Sequence, residues 1–134
     1  MTKDNQKLVT LTRKEVLEIL AETRDLSGRD IRKANLIKID FSDCDLRNCN
    51  FSYSNLKDCI FRNADMREVS LWNANLEGAD FTNANLEDAD LDYSKLRGAI
   101  LHKANIRRAS LPTELVPRED ILRSVETGCR VGQK

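Results

Sequence analysis

The sequence predicts an all-β solenoid closed by a short helix at each end. Three observations predict it. Large apolar residues recur at every fifth position, a row of small residues runs in register with them, and helix signals are confined to the two ends.

The period starts at Leu26 and runs through Ile31, Leu36, Phe41, Leu46 and Phe51 to Ile106 and Leu111 without a polar interruption. Neither common element accommodates it. On an α-helix, positions five apart lie roughly 140° apart and spiral around the surface. On a flat strand they alternate between faces. The backbone must turn a corner about once per repeat, so that every large residue points to one axis. Stacked coils of that kind make a solenoid, hydrogen-bonded between layers at about 4.8 Å.

The small row lies two residues before each large one, as at Ala64, Ala74, Ala79, Ala84 and Ala89. A narrow tube takes one large side chain per face in each layer, so the second inward position must be small. The residue just before the large one is usually Asp or Asn, and the two after it are mostly polar, charged or Gly. Period five leaves the number of corners open. Phe41, Phe61 and Phe81, twenty apart, favour four faces, because they then stack in one column; Phe51 breaks the pattern.

The pentapeptides ANLEG, ADFTN, ANLED, ADLDY and ANIRR follow the pattern A(D/N)LXX. The sequence thereby resembles the pentapeptide repeat family over roughly Ala34 to Leu111. The resemblance implies a right-handed quadrilateral parallel β-helix with twenty residues per coil. It implies little about function, because the family uses one scaffold for many tasks.

Both ends of a solenoid expose core and unpaired edges. At the start, LTRKEVLEIL carries a capping box, Thr12 with Glu15, and a staple pair, Leu11 with Val16. A helix is expected from about Arg13 to Thr23, plugging the first coil with Val16, Ile19 and Leu20. Arg24 and Arg29 occupy the small row, so RDLSGRDI is expected to be a transitional turn that only begins the coil. At the other end, Pro112 and Pro117 stop the register. A second helix is expected from Pro117 to Gly128, with Ile121, Leu122 and Val125 inward and the tail CRVGQK frayed. The whole is one domain: tail and capping helix at 1–25, repeats at 26–111, and C-terminal cap and tail at 112–134.

Composition bounds function. The 134 residues carry 22 basic and 22 acidic side chains, a balance that favours neither a nucleic-acid binder nor an acidic decoy. No segment approaches the ~20 apolar residues that span a bilayer, and no signal-peptide run opens the chain. A cytoplasmic protein, monomeric, with no nucleic-acid or membrane partner, is expected. Cys44, Cys49, Cys59 and Cys129 are expected to be free thiols, the first three as small fillers of the inward row. Their spacing matches no common zinc pattern. The single histidine, His102, is expected on the solvated surface. No catalytic, cofactor or metal site is expected.

Two surface features stand out. From Glu77 to Ser94 there are six acidic residues and no basic ones, and from Lys95 to Arg108 five basic and no acidic. These bands either pair across neighbouring layers or form a dipolar docking surface. The second feature is aromatic. Tyr53, Trp72 and Tyr93 occupy outward positions, and with four faces all three share one. They are the candidate partner-binding face. The expected function is a non-enzymatic protein-interaction or scaffold module. The alternative is a DNA mimic that binds a type II topoisomerase, as the resemblance allows; zero net charge and a covered C-terminal end weigh against it.

Overall fold

The computed structural model describes residues 10–133. Residues 1–9 of the expected N-terminal tail, and Lys134, lie outside the described residues. Two helices, α1 (Arg13–Glu22) and α2 (Arg118–Thr127), flank a coil that makes only single-residue parallel bridges. Each bridge joins a residue to the one twenty further on, from Asp25↔Asp45 to Asp90↔Ser110. Four pentapeptides therefore complete a coil, and the body is a four-sided parallel β-helix.

In a typical repeat each backbone N–H has a defined acceptor, as a buried backbone requires. In Phe81–Asn85, the Phe81 N–H donates to Ile100 O at 2.7 Å and Asn83 to His102 O at 2.9 Å, both in the following coil. Asn85 donates to Ala64 O in the preceding coil at 3.0 Å, and Ala84 closes the turn on Phe81 O at 2.9 Å. Thr82 N–H, which faces outward, donates to the Asp80 carboxylate at 3.0 Å. That last bond explains the Asp or Asn before most large residues: its side chain caps the one N–H the ladder leaves out. The third residue of each turn takes a positive φ, at 14 non-glycine positions from Lys33 to Arg108 as well as at Gly28, Gly78 and Gly98. A left-handed L-residue costs about 1–2 kcal/mol, offset here by the inter-coil bond its N–H makes.

Leu26 to Leu101 in the five-residue series are all at most 1% exposed. The rings of Phe41, Phe61 and Phe81 stack in one column at 5.2 and 5.0 Å, nearly parallel, and Phe51 meets Phe41 and Phe61 edge-on from the opposite face. Ile106, in the last layer with nothing above it, is only half-buried.

The N-terminal rim is sealed by hydrogen bonds as well as by packing. Thr12 and Glu15 form the capping box of α1, and Val16 is fully buried against the first coil. Leu11 N–H donates to Asp30 O at 2.8 Å, and the Arg13 guanidinium to Ile37 O at 2.9 Å and Asn35 O at 3.3 Å. These carbonyls face away from the rod and would otherwise lack donors. Arg24 does the same for Asp40 O at 3.1 Å. RDLSGRDI is thus not a transitional turn: Asp25 and Asp30 already bridge to the second coil, and Leu26 and Ile31 are buried. Arg24 escapes the interior because no layer lies beneath it.

The C-terminal rim differs from expectation in three ways. Leu122 is 43% exposed, and the inward residues of α2 are Ile121 and Ser124, with Val125 partly buried. The Ser124 hydroxyl accepts the Leu101 N–H at 2.9 Å, and Val125 O accepts Lys103 N–H. The tail is docked, not frayed, through Gln133. Val131 is buried, its O accepts Gly98 N–H at 2.8 Å, and its N–H donates to Ala99 O at 2.9 Å. Pro117 is the N-cap of α2 rather than its first residue, and Gly128, at φ 80, ends it.

Two substitutions test this construction. Leu76→Ala removes a fully buried side chain and should cost about 2–5 kcal/mol in denaturant unfolding. Ser124→Ala leaves the buried Leu101 N–H without an acceptor and should cost about 1–3 kcal/mol, an effect that Leu122→Ala, on the outer side of the same helix, should not reproduce.

Candidate partner-binding face

One side of the β-helix is built on the column Ile31, Phe51, Leu71, Leu91. The two residues following each of these project outward, so Tyr53, Trp72 and Tyr93 come from three successive layers. Their rings touch. Tyr53 and Trp72 meet at 5.2 Å and 84°, and Trp72 and Tyr93 at 5.9 Å and 82°, both edge-to-face. The tyrosines are 52% and 49% exposed, and Trp72 is half-buried between them. The other aromatic residues, four phenylalanines, lie wholly in the core. Beside the rings runs a polar row that sequence inspection missed. Ser52 bonds Asn50 at 2.6 Å and Ser70 at 2.9 Å, and one layer pair further on Ser110 bonds Asp92 at 2.7 Å. Its signal was present: these residues stand 18 apart in sequence, the offset between facing outward positions of successive layers.

The inward thiols hold the turns of the preceding coil. Cys49 donates to Leu26 O at 2.8 Å and Cys59 to Leu36 O at 2.9 Å. Ser54, in the same row, accepts Ala34 N–H and donates to Ile31 O. Burial pushes the Cys49 and Cys59 thiols up from 9.0 to about 12, so both stay neutral. Burial also raises Cys44, against the lowering effect of the Arg24 guanidinium 3.4 Å from its Sγ. No group of metal-binding side chains gathers among the described residues. His102 departs from the expected solvated position: it is half-buried beneath Gly128, and its Nδ1 is buried without a partner among the described residues.

The family model for the pentapeptide repeat region matches residues 34–113. The chain belongs to the pentapeptide repeat family. Its coil is accordingly the family's right-handed quadrilateral β-helix. Three solved pentapeptide repeat proteins are similar to it. One from the Arabidopsis thaliana thylakoid lumen is 22% identical, covering 75% of this chain and 86% of that one, with a TM-score of 0.59. One from Nostoc PCC 7120 is 27% identical, covering 83% and 89%, with a TM-score of 0.53. Rfr23 from the cyanobacterium Cyanothece 51142 is 37% identical, with a TM-score of 0.49; the match covers 65% of this chain and 56% of that one. Among curated proteins there is no match.

In this pentapeptide repeat protein the charge bands meet across layers at one residue, Arg108, among those described. Arg108 bonds Asp88 and Glu87 at 2.8 Å, reaching from the basic band into the acidic one. On the same side of the rod, Arg47 and Arg67 bond Asp45 and Asp65 and hold both carboxyls below the usual range. Such exposed pairs contribute at most about 1 kcal/mol each, and they remove the simple picture of one acidic ring under one basic ring.

The thiols supply a test. In the native protein a thiol reagent should label Cys129, which is half-exposed, and spare Cys44, Cys49 and Cys59 until unfolding. Because the folded thiols of Cys49 and Cys59 ionise near 12 and the unfolded ones near 9.0, stability is full below pH 9 and should fall as pH rises toward 12. Replacing both by Ala should remove that part of the alkaline loss, read by thermal unfolding across the range.

Proposed function

We propose that this chain is a non-enzymatic, cytoplasmic interaction module whose rigid β-helix presents Tyr53, Trp72 and Tyr93 to another protein. The observation that carries the reading is the segregation of aromatic rings. Phenylalanine fills the core, while every Tyr and Trp stands outward on one side, in a contiguous column two tyrosines of which are about half exposed. Tyr and Trp supply large contact area with few rotatable bonds and a polar tip, which is why they anchor protein interfaces. Backbone bonds between layers fix the rings in place before any partner arrives, so little ordering is needed on binding.

The exterior offers poor support for chemistry. The described pockets lie along α1, lined by residues such as Glu15, Glu18 and Arg29, with no nucleophile beside a base. A partner of nucleic-acid type would meet a surface of mixed sign, and a duplex mimic would need an acidic one; Arg47, Arg67 and Arg108 thread the carboxylates of one side.

Trp72→Ala should keep the fold, with circular dichroism and cooperative melting close to wild type. Affinity capture from the native organism should then recover at least one protein with the wild type and lose it with Trp72→Ala. Identical captures with both would remove the aromatic face as the binding surface.

A further inference from the structure

The aromatic column also carries information about what it binds. We propose that it docks a proline-rich segment in the polyproline II conformation, with a Lys or Arg beside the prolines seated on Asp90 and Asp92. This rests on the interaction-module reading and names the chemistry of the partner.

Spacing is the first reason. Tyr53 and Tyr93 hold equivalent positions two layers apart, a separation of about 9.6 Å at the ordinary inter-strand distance. A polyproline II helix repeats every three residues, or about 9.3 Å, so prolines at i and i+3 meet both tyrosines on one side of the ligand. Trp72, half-buried in the layer between, receives the apolar surface between those two prolines. Aromatic surfaces of this kind are how proline-rich segments are generally gripped.

Free donors are the second. The hydroxyls of Tyr53 and Tyr93, the indole N–H of Trp72 and the side-chain amide of Asn73 make no hydrogen bond to the described residues. Asn73 lies in the same column as the two tyrosines, in the layer between them, and is exposed. A polyproline II segment makes no internal hydrogen bonds, so its carbonyls are open to such donors. An α-helical ligand has consumed its own carbonyls and gains nothing from them. A β-strand ligand needs an open sheet edge. Here the sides of the coil have no edge, and the rims are partly occupied, by Leu11 and Arg13 at one end and by Ser124, Val125 and Val131 at the other.

Charge is the third. Asp90 and Asp92 adjoin Tyr93, half-buried, and neither forms an ion pair with a described residue. The acidic residue at the opposite end of the face, Asp30, is already held by Arg32 at 2.8 Å, and Lys33 is exposed beside it. The only unpaired carboxylates on this face are therefore at the Tyr93 end, which places the ligand's cation there.

The sole tryptophan in the chain makes the test direct. A synthetic peptide with proline at every third position and a terminal Arg is titrated against the full chain, following Trp72 fluorescence and, for variants, heat of binding. Saturable binding is expected. It should weaken about tenfold in Tyr53→Ala and in Tyr93→Ala, less in Tyr93→Phe, and it should lose salt dependence in an Asp90→Asn, Asp92→Asn double variant. A control peptide with glycine for proline should bind at least about tenfold more weakly, for want of a preformed helix. Equal binding of the glycine peptide, binding unchanged by Tyr93→Ala, or no binding at millimolar peptide would each overturn the proposal. If the peptide fails while capture from extract still depends on Trp72, the interaction-module reading stands and only the ligand assignment falls. If both fail, both are wrong.

Discussion

The structure depends on one constraint: a chain that turns a corner every five residues must bond each layer to the next without stranding an N–H. Three of the five amides reach adjacent coils, one closes the turn, and one is capped by a side chain, as in Phe81–Asn85. The sequence rules follow from this accounting. The Asp or Asn position exists because only a short carboxylate or amide reaches the N–H two residues on. The positive φ at the third turn position exists because that geometry points its N–H along the axis. The backbone strain at residues such as Lys33, Glu68 and Tyr93 is accepted at every corner, so it marks the architecture and not a special site.

An indefinite ladder creates its own problem at the ends, and the two solutions use different chemistry. The N-terminal rim presents carbonyls, so it is closed by donors: the Leu11 amide and the Arg13 and Arg24 guanidiniums. The C-terminal rim presents amides and some carbonyls, so it is closed by acceptors, the Ser124 hydroxyl and the carbonyls of Val125 and Val131, and by two donors, the Val131 N–H on Ala99 O and the Arg130 guanidinium on Gly98 O. Capping is thus polar matching as much as hydrophobic covering. It also occupies part of each backbone edge, which works against end-to-end pairing with another strand.

This division explains what was legible in the sequence. The core was fully readable, because burial in a narrow tube enforces size at fixed spacing; Leu46, Met66 and Leu86 each occupy the axis. The four-sided cross-section was readable from Phe41, Phe61 and Phe81 because identical flat rings prefer to stack. The ends are less legible, because apolar pattern alone does not give inward direction there. Leu122 is apolar yet outward; the rim needs an acceptor, and Ser124 provides it. Arg24 fits the first layer because an end layer has no closed interior to exclude it. Nothing in the sequence shows that Gly128 folds back over His102. For the candidate face, fourfold register placed Tyr53, Trp72 and Tyr93 on one side. Ring contact, the half-burial of Trp72 and the Ser–Asn row depend on side-chain directions that period alone does not carry.

The same register that makes the core uniform makes the exterior informative. Every outward position is equivalent in backbone terms, so side-chain choice there is free of folding demands beyond solubility and turn preference. Charged and amide residues satisfy those demands best and fill most of the surface. Tyrosine satisfies them poorly at a left-handed corner, yet two tyrosines occupy such corners two layers apart on the same side, with tryptophan in the layer between. Cross-strand contact among the three rings returns some of that cost, at about 0.5–1.5 kcal/mol per aromatic pair. Ring contact alone, though, leaves about half of each tyrosine in water and the polar tips without acceptors. That residual amphipathic surface, held rigid at a spacing set by the β-helix itself, is what distinguishes this side of the rod from the Arg–Asp side, where Arg47, Arg67 and Arg108 are each held by a carboxylate of their own or a neighbouring layer.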